Sequence, residues 1–376
     1  MIYKQFKEKK LSLLGFGMMR LPVKEDKKTV DQEKVNEMVD LAYKGGVNYF
    51  DTAWIYMDGQ SEAVTGKALS KYPRESYNLA TKYPCGQIEK EDPEGIFEEQ
   101  LKRCGVDYFD FYLFHSVNDK NIDTFLNPEI GIIDYFKKQK ELGRIKHLGF
   151  SCHASIPNMK RFLEATKGLV EFCQLQTNYV DWTLQNCKEK YEIVESYGLP
   201  LWVMEPVRGS RIAKFNEETT NRLRALRPDE STPAWAFRFL QGLDNISMIL
   251  SGMSNVEQIE DNLKTFEELK PLNEEEKEVI FDIAEFVKLE VPCTGCEYCV
   301  SHCPNNIYIP KLMKTFNRMR LTVEQSEIDY IDSLDDANKP SACIACGACA
   351  QVCPQAINIP DILAKVDNYY KEKKGQ

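Results

Sequence analysis

The 376-residue sequence has no excess of basic residues, and its formal net charge is −10 at pH 7. A nucleic-acid site or an anionic-membrane surface needs a concentrated basic face, so this balance argues against both partners. No apolar run approaches the roughly 18 residues of a membrane span. The lysine-rich opening stretch MIYKQFKEKKLSLLGFGMMRLP has no apolar segment long enough for a signal peptide, so the expected location is the cytoplasm. A glycine-rich phosphate turn after an early strand is also missing. GFGMMR at 15–20 does not have that spacing, which counts against a doubly wound nucleotide-binding sheet.

Cysteine, by contrast, is plentiful and clustered. Of 13 cysteines, eight fall in two matched stretches, CTGCEYCVSHCP from residue 293 and CIACGACAQVCP from residue 343. Both copies run on alike, as CPNNIYIP and CPQAINIP. A secreted disulfide scaffold would be short and carry a signal peptide, so that reading fails. The other five, Cys85, Cys104, Cys152, Cys173 and Cys187, show no ligand spacing and read as small packed side chains. C-x-x-C-x-x-C-x-x-x-C-P twice over signals two 4Fe–4S clusters, because three closely spaced thiolates wrap one corner of a cubane. Zinc is the alternative. It needs two separated pairs of thiolates and would leave the third cysteine of each triplet unexplained.

The motif resembles that of two-cluster ferredoxins, in which the fourth cysteine serves the other cluster. The resemblance implies Cys293, Cys296, Cys299 and Cys353 for one cluster, and Cys343, Cys346, Cys349 and Cys303 for the second. Gly295, Ala345, Gly347 and Ala348 are small enough to let backbone amides approach the inorganic sulfides. The 39 residues between Cys303 and Cys343 include PKLMKTFNRMR and TVEQSEIDYIDSL, which read as helices. In this the tail is similar to the helical dicluster ferredoxins of multisubunit oxidoreductases.

Before the tail, β-branched and aromatic runs alternate with segments of helical period. LSLLGFG, NYFDTA, YNLATKY, FDFYLFH, IKHLGFS, FCQLQTNY, LPLWVME and NISMILSG read as strands. The segment from Gln32 puts Val35, Met38, Val39 and Ala42 on one helical face. Gly45–Gly46, Gly105, Gly143 and Gly198 stand where helices should end. Eight strands alternating with helices over about 260 residues suit a (β/α)8 TIM barrel. A further helix is expected over 273–290, capped by Asn273, with Val279, Ile283, Phe286 and Val287 as its apolar stripe. The expected fold class is α/β, with a barrel over 1–285 and a small, mainly helical dicluster ferredoxin-like domain over 286–376.

Chemistry in a barrel sits at the C-terminal ends of its strands. Those ends carry Asp51, Lys82 and His115, with Tyr56 on the loop after Asp51. Carbonyl reduction fits this set. Hydride arrival turns the carbonyl oxygen into an alkoxide that needs a proton, and a tyrosine near its usual pKa of ~10 is a reluctant donor and a poor base. Lys82 is expected to lower the Tyr56 pKa, Asp51 to hold Lys82, and His115 to orient the carbonyl.

FDTAWIY, TK and LFH resemble the Asp–Tyr–Lys–His tetrad of the aldo/keto reductase superfamily, and all four positions match. The resemblance covers roughly residues 1–285 and implies Tyr56 as general acid/base. It also implies nicotinamide-carboxamide contacts at Ser151 and Gln174, with Cys152 where the family often has asparagine. Met204 stands where the family stacks an aromatic ring on the nicotinamide. The eighth-strand loop, SGMSNVEQIEDN, lacks lysine and arginine and carries Glu257, Glu260 and Asp261. A 2′-phosphate needs charged donors, so NADH is favoured over NADPH, or nicotinamide binding is weak. Asn262 and Asp261 are placed to reach an adenine or ribose, and Arg208 and Arg211 to serve a phosphate or a surface pair. Trp54 and Tyr83 are candidates either for the pocket lining or for barrel packing.

Barrel and dicluster tail together are similar to a branch of aldo/keto reductases, widespread in anaerobes, with a fused ferredoxin domain. The leading reading is an oxidoreductase that interconverts a small-molecule carbonyl and an alcohol with NAD(H) or NADP(H). Its clusters would exchange electrons with a redox partner protein such as a ferredoxin or flavodoxin. One-electron clusters and a two-electron hydride do not couple easily, and a barrel can bind a flavin through backbone amides of its seventh and eighth strand loops. The alternative is therefore a ferredoxin-linked reductase fed by the clusters, with or without a flavin and without nicotinamide. A third reading makes the tail a relay on a vestigial barrel, which the intact tetrad opposes.

Overall fold

The computed structural model describes residues 1–184, 186–215, 217–288, 291–322 and 325–375. By residue contacts the chain divides into two units: 1–214 with 224–280, and 215–223 with 281–376.

The first unit is a closed barrel of eight parallel strands: β1 Leu14–Gly17, β2 Tyr49–Asp51, β3 Asn78–Tyr83, β4 Phe109–Val117, β5 Ile145–Cys152, β6 Cys173–Gln176, β7 Leu201–Met204 and β8 Ile246–Ser251. Each coincides with one of the eight apolar runs, β4 and β5 overrunning theirs by two residues and one. The strands read as continuous hydrophobic runs because a parallel barrel covers both of their faces. Helices cross between successive strands and end where the glycines stand. Gly105, for example, closes Pro93–Cys104 at φ 65 and donates its N–H to the Leu101 and Lys102 carbonyls.

LSLLGFG proves to be two elements. Its first half belongs to an antiparallel hairpin, Tyr3–Phe6 with Lys9–Ser12, and only Leu14–Gly17 enters the barrel. The hairpin's Phe6 and Leu11 pack with Tyr49, Phe111, Phe172, Trp202 and Met248 in one buried cluster. Phe6 meets Trp202 edge-on at 5.0 Å. Gly149 makes room for that layer, since a Cβ there would come within 2.5 Å of the Phe172 ring. This layer fills the interior with side chains, as barrels of this size require.

Helices Glu217–Leu226 and Thr232–Gln241, between β7 and β8, have no counterpart among the expected segments. The second opens on Ser231, whose side chain caps the Ala234 N–H, with Pro233 in its first turn. The helix after Asn273 runs Glu274–Lys288 and buries Ile280, Ile283, Ala284 and Val287. Residues 289–290 and the Phe286 side chain, part of the expected helix and stripe, lie outside the described residues.

The tail is built of helices: Ile309–Thr322, Gln325–Asp332 and Ile359–Lys374, with no strand among the described residues of 281–376. Ile307, Leu312, Met313, Ile331, Leu363 and Val366 form its core together with Cys299 and Cys349. Among the described residues, no helix is long and apolar enough to cross a membrane.

Candidate active site and cysteine cavities

Strand register brings the expected residues to one end of the barrel. Asp51 ends β2, and Lys82 stands one residue before the end of β3. Lys82 is fully buried. Its Nζ donates to Asp51 Oδ1 at 2.5 Å and to the Thr52 carbonyl at 2.7 Å. Tyr56 follows in a tight turn, and its carbonyl accepts from Gly59 and Ser61. Lys82 Nζ lies 4.7 Å from the Tyr56 ring centroid, near enough for its charge to act on the hydroxyl.

Burial works against the charge of Lys82, but Asp51 and Tyr56 outweigh it and hold the ammonium above its ordinary range. Burial likewise lifts the Asp51 carboxyl, with Lys82 opposing. Lys82 does pull the Tyr56 pKa down, as expected, but burial outweighs that pull. Burial pushes that hydroxyl above its ordinary value, helped by Asp51 and Glu205, and the pull of Lys82 does not reverse it. Tyr56 therefore keeps its proton at neutral pH.

His115 faces Tyr56 edge-on at 5.9 Å between ring centroids. β4 bulges just after it: the register with β5 slips between Phe114 and Val117, and Ser116 takes a left-handed φ of 54. The Ser116 N–H is caught by Ser151 Oγ at 2.7 Å, which fixes the kink that aims His115. Burial, with Lys82 and His153 adding to it, pushes the imidazole well below its usual pKa, so it is neutral. Its Nδ1 has no partner among the described residues.

Ser151 on β5 and Gln174 on β6 are register partners. Gln174 is buried with its Oε1 unpartnered among the described residues, an acceptor suited to an amide N–H. Burial pushes the neighbouring Cys152 thiol up to about 11, so it stays neutral. Met204 ends β7, half-buried, with its carbonyl accepting from Thr177. Asn262 is buried, and its Nδ2 donates to Ser251 Oγ at 3.0 Å. Asp261 is tied to Ser231, while Glu257 and Glu260 are exposed.

Arg208 is not a surface residue. It is buried, its Nε donates to the buried Asp181 at 3.1 Å, and its Nη1 is unpartnered among the described residues. Tyr83 is packing, fully buried with its hydroxyl donating to Glu91. Trp54 is half-buried under Arg103, whose guanidinium carbon lies 3.5 Å from the ring centroid.

Three supporting residues escape a sequence reading. Gln100 Nε2 donates to the Lys82 carbonyl at 3.0 Å and to the buried Glu62 at 2.7 Å, and Arg103 reaches Glu62 as well as Trp54. Together they brace the Lys82 strand and the Tyr56 loop from outside. No local pattern marks them, because their partners stand 18 to 49 residues away.

In the tail, Cys293, Cys296, Cys299 and Cys353 line one cavity. Cys303, Cys343, Cys346 and Cys349 line a second. Each cavity thus takes three cysteines from one module and one from the other, a donor set of the kind a 4Fe–4S cluster requires.

The sequence model of the aldo/keto reductase family matches residues 13–285, and that of a 4Fe-4S dicluster domain matches 292–357. Probable aldo-keto reductase 1 of Glycine max is 34% identical over 151 residues, covering 38% of this chain and 41% of that one. NADH-specific methylglyoxal reductase of Escherichia coli is 25% identical over 280 residues, covering 62% of this chain and 83% of that one. Among solved structures, the holo form of aldo-keto reductase AKR11C1 from Bacillus halodurans is 25% identical with a TM-score of 0.61. It covers 75% of this chain and 95% of that chain. An aldo/keto reductase from Klebsiella pneumoniae, solved with NADP and acetate, is alike in fold alone, at 17% identity and a TM-score of 0.58. That match covers 73% of this chain and 92% of that chain.

Proposed function

The chain belongs to the aldo/keto reductase family, and from that premise we propose that its barrel interconverts a small-molecule carbonyl and an alcohol with a nicotinamide cofactor, NADH favoured. The tail in this reading holds two 4Fe–4S clusters that exchange electrons with a redox partner such as a ferredoxin or flavodoxin. The observation that carries the barrel assignment is the buried Lys82–Asp51 pair set against Tyr56, with a neutral His115 edge-on to the same ring.

A bound nicotinamide supplies the hydride. His115, neutral, donates a hydrogen bond that draws the carbonyl oxygen toward Tyr56. Tyr56 gives its proton to that oxygen as negative charge develops there, and Lys82 stabilises the phenolate left behind. Asp51 holds Lys82 in place and charged. In the reverse direction the phenolate takes the alcohol proton. Because burial raises the Tyr56 pKa, reduction stays level through neutral pH, while alcohol oxidation rises as pH climbs toward that raised value.

The fit to a nicotinamide rests on the unpartnered Gln174 Oε1, which would accept from a carboxamide N–H, with Ser151 beside it. Arg208 Nη1, unpartnered among the described residues, is a donor suited to a phosphate oxygen. The acidic eighth loop disfavours a 2′-phosphate, and the Escherichia coli relative named for NADH-specific reduction supports the same choice. That loop also favours the second reading, in which the clusters feed the barrel without nicotinamide.

Titrating the full chain with NADH and following nicotinamide fluorescence tests the assignment. Saturable binding is expected, weakened about tenfold in Gln174→Leu, the size of one lost hydrogen bond. Binding that is absent, or untouched by the substitution, would defeat the nicotinamide site.

A further inference from the structure

The two cysteine modules are a repeat, so any departure between them isolates what differs between the two cavities. After the second cysteine of each, module one has Glu297 and module two has Gly347; after the shared Cys-Pro, Tyr308 stands opposite Asn358. Both Glu297 (φ 64) and Gly347 (φ 77) are left-handed. Glycine suits that conformation, whereas a glutamate seldom adopts it. Glu297 is nonetheless there, and the Tyr308 hydroxyl donates a hydrogen bond to its Oε1. Asn358 turns instead to Asp361, at 2.5 Å.

Cysteine exposure and helix placement are matched, while His302 lines the second cavity alone. The middle cysteines, Cys296 and Cys346, are both exposed, while Cys299 and Cys349 are equally buried, each 7% exposed. The first turn of a long helix borders each cavity, through Pro310 and Met313 in one and Pro360 and Leu363 in the other. Neither solvent exposure nor a helix dipole therefore separates the two. Charge does: Glu297 is the one carboxylate among the described residues lining the first cavity, and none lines the second.

We propose that Glu297, held in place by Tyr308, gives the cluster of the Cys293–Cys296–Cys299–Cys353 cavity the lower reduction potential of the two. Reduction adds an electron to a cluster already bearing negative charge, and a fixed carboxylate in its wall opposes that addition. The first electron to enter the tail then rests on the cluster of the Cys303–Cys343–Cys346–Cys349 cavity. The inference rests on the ligand sets read above, not on the barrel chemistry.

The test is an anaerobic potentiometric titration of the full chain at fixed pH, followed by electron paramagnetic resonance, with iron and sulfide counted in every sample. The wild type should show two separated midpoints. Glu297→Gln should raise the lower one, leave the higher in place and narrow the gap. Tyr308→Phe, which keeps the charge but frees it, should raise the same midpoint by less, and Gly347→Glu should lower the higher one. A gap that Glu297→Gln leaves unchanged or widens would overturn the proposal, as would cluster loss confined to that variant, which would make Glu297 structural. A wild type holding fewer than two clusters would instead sink the ligand sets, and the inference with them.

Discussion

Replacing Tyr56 by Phe is expected to slow carbonyl reduction by about 10²–10⁴-fold, the range a positioned general acid contributes, while leaving the fold untouched. Two neighbours meet the ring itself: His115 at its edge, at 80°, and Lys82 over its face. Phenylalanine keeps both contacts and loses only the hydroxyl. Turnover of a fixed carbonyl in wild type and variant measures the effect, with a thermal melt beside it. A variant of unchanged melting temperature and full activity would remove Tyr56 from the reaction. A variant that loses activity together with its melting transition would show a packing role instead.

Lys82→Met should lose both activity and stability. It leaves Asp51 buried with the Thr52 carbonyl behind it and no cation, and breaking such a pair costs roughly 3–5 kcal/mol. In a domain of this size that amounts to about 10 °C of melting temperature. The carboxyl has one escape, which is to take up a proton. Burial already raises its pKa, and removal of Lys82 removes the opposing pull. A group whose folded pKa lies above its unfolded one contributes stability at low pH and loses it as pH rises through the folded value. The variant's melting temperature should therefore fall from pH 4 toward neutrality relative to the wild type. Adding Asp51→Asn should recover most of the loss of stability without recovering activity, the non-additivity expected of two residues in direct contact. Melts of the two single variants and the double variant across pH check the whole cycle.

The barrel was legible because each strand is a short apolar run between turn residues, and because glycine marks helix ends such as Cys104–Gly105. The floor of the barrel was not. Its hairpin turns at Lys7 (φ 49) without the Asn-Gly or Gly that usually announces such a turn, so Tyr3–Phe6 and the start of Lys9–Ser12 do not read as strands. Helix Thr232–Gln241 did carry a signal in Ser231 and Pro233, but it follows a long polar stretch between β7 and β8.

At the candidate site, identity was legible and environment was not. Asp51, Lys82 and His115 announced themselves by their place at strand ends. That Tyr56 keeps its proton depends on how much water the fold removes from it, which no motif encodes. Arg208 reads as a surface cation until Asp181, 27 residues earlier, is found beside it in the interior. Separations of 18 and 38 residues likewise hide Gln100 behind Lys82 and Glu62 behind Gln100.

The central claim is that hydride chemistry takes place at the Tyr56 mouth and that the clusters do not replace it. The most direct measurement mixes NADH and a panel of small aldehydes and ketones with anaerobic, cluster-replete protein, following nicotinamide and cluster absorbance together. Consumption of NADH in step with the alcohol formed, abolished by Tyr56→Phe, is the predicted result. Carbonyl reduction that ignores NADH and proceeds only from a one-electron donor, with the clusters bleaching as it does so, would contradict it.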